Sequence, residues 1–292
     1  MLTFSPITLS NTSTYYAYWD KTPCHSIDYT LPNLFGWRDY FALSIAESPN
    51  LYWIHQEKPT PCFWAPLGAW EDVDWEAELA LLPKPLTMIR VPAPLLTVLE
   101  QRVPAKLTVE EARGQWEYLY RRNDLIDLSG KAFHKKKTHC SNFIRTYGEP
   151  DYRPINDAIV EDVLALEDEW CQWHECDASP SLRAENAAIN QVLSHWGSFR
   201  NLLGGALYVN DKICAFSLGE RLDATSIGVH YEKGLLGYKG IYQTINREFV
   251  RHTDAHILSI NRAQDLDEEG LRQAKLSYNP SDFIKKYTVH CS

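Results

Sequence analysis

The 292-residue sequence predicts a mixed α/β protein (α+β in arrangement), with mostly antiparallel sheets flanked by helices, and three observations predict it. Short apolar runs of strand character alternate with longer segments that are apolar at helical spacing. Asn210-Asp211 separates two of those runs, a hairpin signal and hence a sign of antiparallel pairing. The length is about twice a common domain of ~100–150 residues, and Gly148-Glu-Pro-Asp-Tyr-Arg-Pro154 holds the Gly and Pro that stop a helix. Two domains are therefore expected, 1–148 and 149–292.

Composition narrows the class. With 45% apolar and 23% charged residues the chain is neither disordered nor collagen-like. A net charge of −9 argues against wholesale coating of nucleic acid. No apolar run reaches the ~18–20 residues of a bilayer span and no basic-then-apolar leader is visible, so a soluble, cytoplasmic protein is expected. Seven cysteines at irregular spacing predict reduced thiols.

The elements follow in order. Ser10 to Ser13 offers caps for a helix to Asp20. Leu51–His55 and Pro61–Trp64 read as strands closing at a turn, Pro66-Leu-Gly68. An acidic helix is expected over 72–82, a strand over 86–91, and a helix opened by Pro92-Ala-Pro94 that ends near Arg102. Tyr118-Leu-Tyr120 reads as a strand, and Ser129-Gly-Lys131 opens a helix to Tyr147. Asp157 can cap a helix carrying Val160, Val163, Leu164, Leu166, Trp170 and Trp173 on its apolar face, and a second helix spans about 181–196. Strands follow over 205–209, 213–218 and 225–231. A Gly-punctuated loop, 233–240, then feeds a helix over 241–251. A strand over 257–260, a helix over 267–275 and a strand near 286–290 close the chain. Helices, a three-strand meander, then strand, Gly loop, helix and strand is an order that resembles the GNAT-type acyltransferase fold.

Four constellations could bear chemistry. The helix from Lys131 to Arg145 has five Lys/Arg, two His and no acid; its like charges call for an anion or for the acidic stretch Asp157–Asp177, which has eight acids and no Lys or Arg. The phosphates of a donor are the sharper reading, held by Lys131, Lys135 and Arg145. Strand alternation predicts Gly228, His230 and Glu232 on one face, with Glu220 ending the neighbouring strand; any of Glu220, His230 or Glu232 could accept a proton as general base. Gly237-Tyr-Lys239-Gly240 opens a helix whose N–H groups could hold an anion. Asn261, Arg262 and Asp265 follow a strand, and Lys275 and Tyr278 end the next helix, all suited to orienting a substrate. Cys171-Gln-Trp-His-Glu-Cys176 offers zinc-ligand types without a second pair, so no metal is expected.

Tyr118 to His134, Tyr238 to Asn246, Asn261 to Pro280 and Asn33 to Tyr40 resemble the soluble relatives of the C-terminal domain of phosphatidylglycerol lysyltransferase. The resemblance implies two tandem GNAT-like domains, an architecture shared with Fem-type transferases, which move an amino acid from aminoacyl-tRNA onto an amine or hydroxyl. It implies no required cofactor and a donor that is aminoacyl-tRNA or acyl-CoA. In GNAT proteins the Gly240 position belongs to Arg/Gln-x-x-Gly-x-Gly/Ala, which grips the coenzyme A pyrophosphate. Here Gly237 stands at its first position and Tyr242 at its last. The expected activity is transfer of an aminoacyl or acyl group to a small molecule or lipid headgroup. The alternatives are a CoA-dependent N-acyltransferase and a non-catalytic module that binds a ligand or headgroup.

Overall fold

A computed structural model describes residues 2–292, which divide into two compact units. Unit 1 comprises residues 1–117, 264–268 and 284–292; unit 2 comprises 118–263 and 269–283. Residues 118–148 thus group with the later unit instead of the earlier one, because the strand and helices they form pack into the second sheet's core.

The first stretch of chain runs β1 (Ser5–Pro6), α1 (Thr12–Trp19), α2 (Leu31–Phe41), β2 (Leu43–Glu47), β3 (Leu51–Gln56), β4 (Cys62–Gly68), α3 (Trp75–Ala80), β5 (Leu86–Pro92), α4 (Ala93–Arg102) and β6 (Leu107–Glu111). The second runs β7 (Glu117–Arg121), α5 (Arg122–Asp127), α6 (His134–Tyr147), β8 (Asp151–Pro154), α7 (Val160–Trp173), α8 (Pro180–Leu193), β9 (Leu202–Val209), β10 (Lys212–Arg221), β11 (Ser226–Gly234), α9 (Ile241–Arg251), β12 (Ser259–Asn261), α10 (Glu269–Leu276) and β13 (Asp282–Ile284). β14 (Lys286–Cys291) then returns to the first sheet, between β5 and β6. The expected turn at 66–68 is the end of β4, extended because Leu51 and Tyr52 pair with Gly68 and Leu67.

The two seven-stranded sheets share one plan, β1-β2-β3-β4-β5-β14-β6 and β13-β7-β12-β11-β10-β9-β8, the second written from the opposite edge. In each, three antiparallel strands lead through a helix to a parallel fourth. Each parallel contact is short. β4 and β5 pair at Phe63↔Met88 and Trp64↔Ile89, β11 and β12 at Ser226↔Ser259, Ile227↔Ile260 and Gly228↔Asn261. β11 continues six residues past that pairing, to Gly234, so the sheet of unit 2 parts beside it.

Amphipathic helices cover unit 2. Phe249 of α9 packs under Gly219, where an added Cβ would lie 3.0 Å from its ring. α6 packs on α9, with Phe143 beside Ile241 and Ile245. α7 packs on α8 and β10. The basic helix therefore does not dock on the acidic one; their apolar stripes seat them against different elements. Trp173, expected on the apolar stripe of α7, is 63% exposed at its end. Cys171 and Cys176, expected as free thiols, form a disulfide across the turn ending α7; Cys24, Cys62, Cys140, Cys214 and Cys291 are free. Among the described residues no helix is long and apolar enough to cross a membrane.

Candidate functional site

A bulge in β11 decides which side chains meet at the parting of unit 2. Leu218 pairs with Tyr231 and Gly219 with Val229, so His230 is the extra residue and the alternation shifts there. Gly228, His230 and Glu232 consequently do not share a face as plain alternation predicts. His230 turns to Glu220, its Nε2 3.3 Å from the carboxylate, and both side chains are 2% exposed. That pair is sealed in the sheet.

Glu232 takes the other side. Its Oε2 accepts from Asn246 Nδ2 of α9 at 3.2 Å, and its Oε1 accepts from an Arg262 guanidinium N–H at 3.2 Å. Both Glu232 and Arg262 keep an edge in solvent, at 13% and 16% side-chain exposure. Burial raises the Glu232 carboxyl above the usual range, while Arg262, the Asn246 bond and Lys275 pull the other way. A carboxylate so tuned holds a proton more readily than a surface one, which general-base work requires.

Aromatic rings frame this ion pair. Arg262 lies 4.8 Å from the Tyr278 ring centroid and 5.8 Å from that of Tyr120. Lys136 of α6 lies 4.3 Å from the Tyr278 centroid. Lys275 donates from Nζ to the carbonyl of Arg262, and its own carbonyl accepts from Tyr120 Oη at 2.9 Å. Burial pushes the Tyr278 hydroxyl up to about 12, against the pull of Arg262. Two cations, Arg262 and Lys275, thus act on one carboxylate, and a third, Lys136, shares the Tyr278 ring with Arg262, an arrangement that favours a negatively charged group.

Of the residues singled out in the sequence, Glu232, Arg262, Lys275 and Tyr278 come together. Asn261 is 1% exposed and its Oδ1 accepts from the Ala263 N–H, fixing the left-handed turn that presents Arg262. Asp265 belongs to unit 1, where it is fully buried and bonded by Arg113 at 3.0 Å. Lys131 and Lys135 are exposed and, with Gly130, His134 and Lys137, line an open groove at the start of α6. Arg145 is exposed ten residues along from Lys135, about 15 Å along the helix. Lys239 is exposed beside Gly240, which caps α9 at φ 84°. A Cβ on Gly240 would meet the His139 carbonyl oxygen of α6 at 2.5 Å, so the glycine serves close helix packing. Tyr242 accepts from Trp170 Nε1 at 2.9 Å, which fixes it to α7.

Sequence reasoning missed Asn246 and Tyr120, and took Lys136 with Lys135 as part of the basic groove. For Lys136 a signal existed: Phe133, Lys136, Cys140 and Phe143 recur at helical spacing, and the three apolar members are buried. Asn246 carried none, since a polar residue in an amphipathic helix reads as surface.

The family model described as phosphatidylglycerol lysyltransferase, C-terminal, matches residues 22–290. The crystal structure of a conserved protein of unknown function from Bacteroides thetaiotaomicron is similar over all of both chains, at TM-score 0.91 and 31% identity. L-PGS from Bacillus licheniformis aligns over 96% of this chain and 91% of its own, at TM-score 0.63 and 10% identity. A GNAT-family acetyltransferase from Colwellia psychrerythraea covers both chains fully at TM-score 0.50 and 8% identity, a likeness of fold. An uncharacterized protein from Mycoplasmoides gallisepticum is 27% identical over 175 residues, which are 59% of this chain and 55% of that protein; the match spans about half of the relative's length.

Proposed function

The chain belongs to the phosphatidylglycerol lysyltransferase C-terminal domain family, and from that premise we propose that it is an aminoacyltransferase, taking its aminoacyl group as a tRNA ester and passing it to a small nucleophile or lipid headgroup. The fold is that of a GNAT-like acyltransferase-type domain. The observation that carries the finer reading is Glu232, a half-buried carboxylate of raised proton affinity at the sheet's parting, held by Arg262 and Asn246.

In this reading the acceptor's amine or hydroxyl attacks the ester carbonyl and its proton passes to Glu232. The bond from the carbonyl carbon to the ribose oxygen breaks, and that oxygen leaves with a proton. N–H groups of β11 beyond Gly228 supply donors for the developing oxyanion. Arg262, Lys275 and Tyr278 orient the substrate, and Lys131 and Lys135 meet donor phosphates in the groove of α6. The tip of α9 disfavours acyl-CoA, because the His139 carbonyl dipole and Tyr242 stand where a pyrophosphate would approach Gly240.

The test is incubation with aminoacyl-tRNA carrying a labelled amino acid, beside labelled acetyl-CoA, in the presence of a cell extract as acceptor source. Transfer from the tRNA ester is expected, and Glu232→Gln should lower it by ~10²–10⁴-fold. Consumption of acetyl-CoA alone, or a thermal shift of ~2–3 kcal/mol at saturating CoA, would replace the donor in this scheme. No consumption of either would favour a binding module.

A further inference from the structure

The three consecutive lysines of α6 sit in unlike surroundings. Lys135 and Lys137 are exposed, whereas Lys136 is half-buried on the stripe of Phe133, Cys140 and Phe143. Its ammonium and the Arg262 guanidinium approach one ring, at 4.3 and 4.8 Å from the Tyr278 centroid. Among the described residues no carboxylate or carbonyl accepts a hydrogen bond from it. Its neighbours are a phenol ring and a second cation. Burial first, then Arg262 and Lys135, hold Lys136 below the usual lysine range. A lysine desolvated beside another cation is how a side-chain amine becomes a nucleophile near neutral pH.

We propose that Lys136 is a covalent modification site, an internal acceptor whose ε-amine takes an acyl group from an activated acyl donor at the parting of unit 2. The source of donor rests on the transferase reading above; the reactivity of the amine does not. The unprotonated Nζ attacks the carbonyl carbon of an acyl ester, thioester or acyl phosphate. A C–N amide bond forms, the bond to the leaving oxygen or sulfur breaks, and the proton lost by nitrogen departs with the leaving group or to water. No oxidant or reductant enters. The product removes one of the two cations at the Tyr278 ring and places an acyl group there, so acylation would weaken the site's hold on an anionic substrate.

The intact chain treated with limiting acetyl phosphate tests this without a bound donor. Cleavage after Phe133 and Phe143 releases a peptide containing all three lysines, and its fragment masses report each one separately. Lys136 is expected to label at least about fivefold faster than Lys135 or Lys137 at neutral pH, with half-maximal labelling at lower pH than theirs. Equal or slower labelling of Lys136 overturns the proposal. In a parallel arm with aminoacyl-tRNA, transfer to Lys136 that is absent from Lys136→Arg supports both readings. Selective labelling by acetyl phosphate with none from aminoacyl-tRNA supports the reactive amine and counts against the tRNA donor.

Discussion

In unit 1 the parallel strands β4 and β5 separate at Arg90; in unit 2 the equivalent pair, β11 and β12, separates after Gly228. The first parting is filled from within. All seven residues of β4 are buried, and Arg90, held in the left-handed region at φ 60°, lays its guanidinium 4.2 Å from the Trp64 ring centroid and pairs with Asp28. Lys286 bonds the same Asp28 and, at 2.5 Å, Glu117, which also accepts from Ser26 Oγ at 2.6 Å. Two carboxylates and two cations balance there, Asp28, Glu117 and Lys286 buried and Arg90 keeping 12% of its side chain exposed. The following helices differ as well. α3 of unit 1 is capped by Asp74, which accepts from the Ala77 N–H, and carries Glu76 in its first turn, so its positive end is answered by the chain itself. α9 of unit 2 starts at Gly240 with no side-chain cap and no acid in its first turn. One plan, used twice, serves a packed core in unit 1 and leaves half-buried charge beside Tyr278 in unit 2. Topology alone does not make a site; which residues line the parting does.

The largest effect is expected in unit 1. Lys286→Met leaves Asp28 and Glu117 buried with one cation fewer, and should lower stability by ~3–5 kcal/mol in urea unfolding. A loss under ~1 kcal/mol would mean that the filled parting is not what holds unit 1 together.

Glu167 of α7 sets unit 2 apart again, since it is a buried carboxyl that no hydrogen bond satisfies. Neither of its oxygens has a hydrogen-bond partner among the described residues. Burial pushes its carboxyl up to about 8, against Lys233 and with Glu185 and Asp168. Because the folded protein holds this proton more tightly than the unfolded chain, the stabilisation is full below the ordinary carboxyl range and is lost as pH rises to about 8. Stability should therefore fall on the order of 3 kcal/mol between pH 4.5 and 8, and Glu167→Gln should flatten that slope. A slope unchanged in Glu167→Gln would assign it to other groups.

The smallest effect concerns the tip of α9. Gly240→Ala meets both a positive φ and the His139 carbonyl, and should cost about 1–3 kcal/mol by thermal unfolding. A neutral substitution would show that α6 can yield there, and would reopen that tip to a pyrophosphate.

Much of this was legible in the residues themselves. Asn210-Asp211 does form a turn, both in the left-handed region, between β9 and β10. The amphipathic period placed α7 and α9 within a few residues, and the polar run after Ile260 marked Arg262 as a residue at a strand's end. What escaped was set by context. The α2 stretch, Leu31–Phe41, has aromatic and apolar residues all round and little periodicity, so it read as no element. β8 and β13, at four and three residues, are too short to show alternation and exist because a neighbouring edge pairs with them.

By itself the sequence determined many of the longer strands and helices and the family, because hydrophobic period, turn residues and caps act between neighbours in the chain. Only the tertiary structure decided that β11 bulges at His230, sealing one carboxylate with the imidazole and turning the next toward Arg262, and that Lys286 closes on Asp28 and Glu117, 258 and 169 positions away. Such choices depend on which groups are left without water once the sheets close, and no local pattern carries that information.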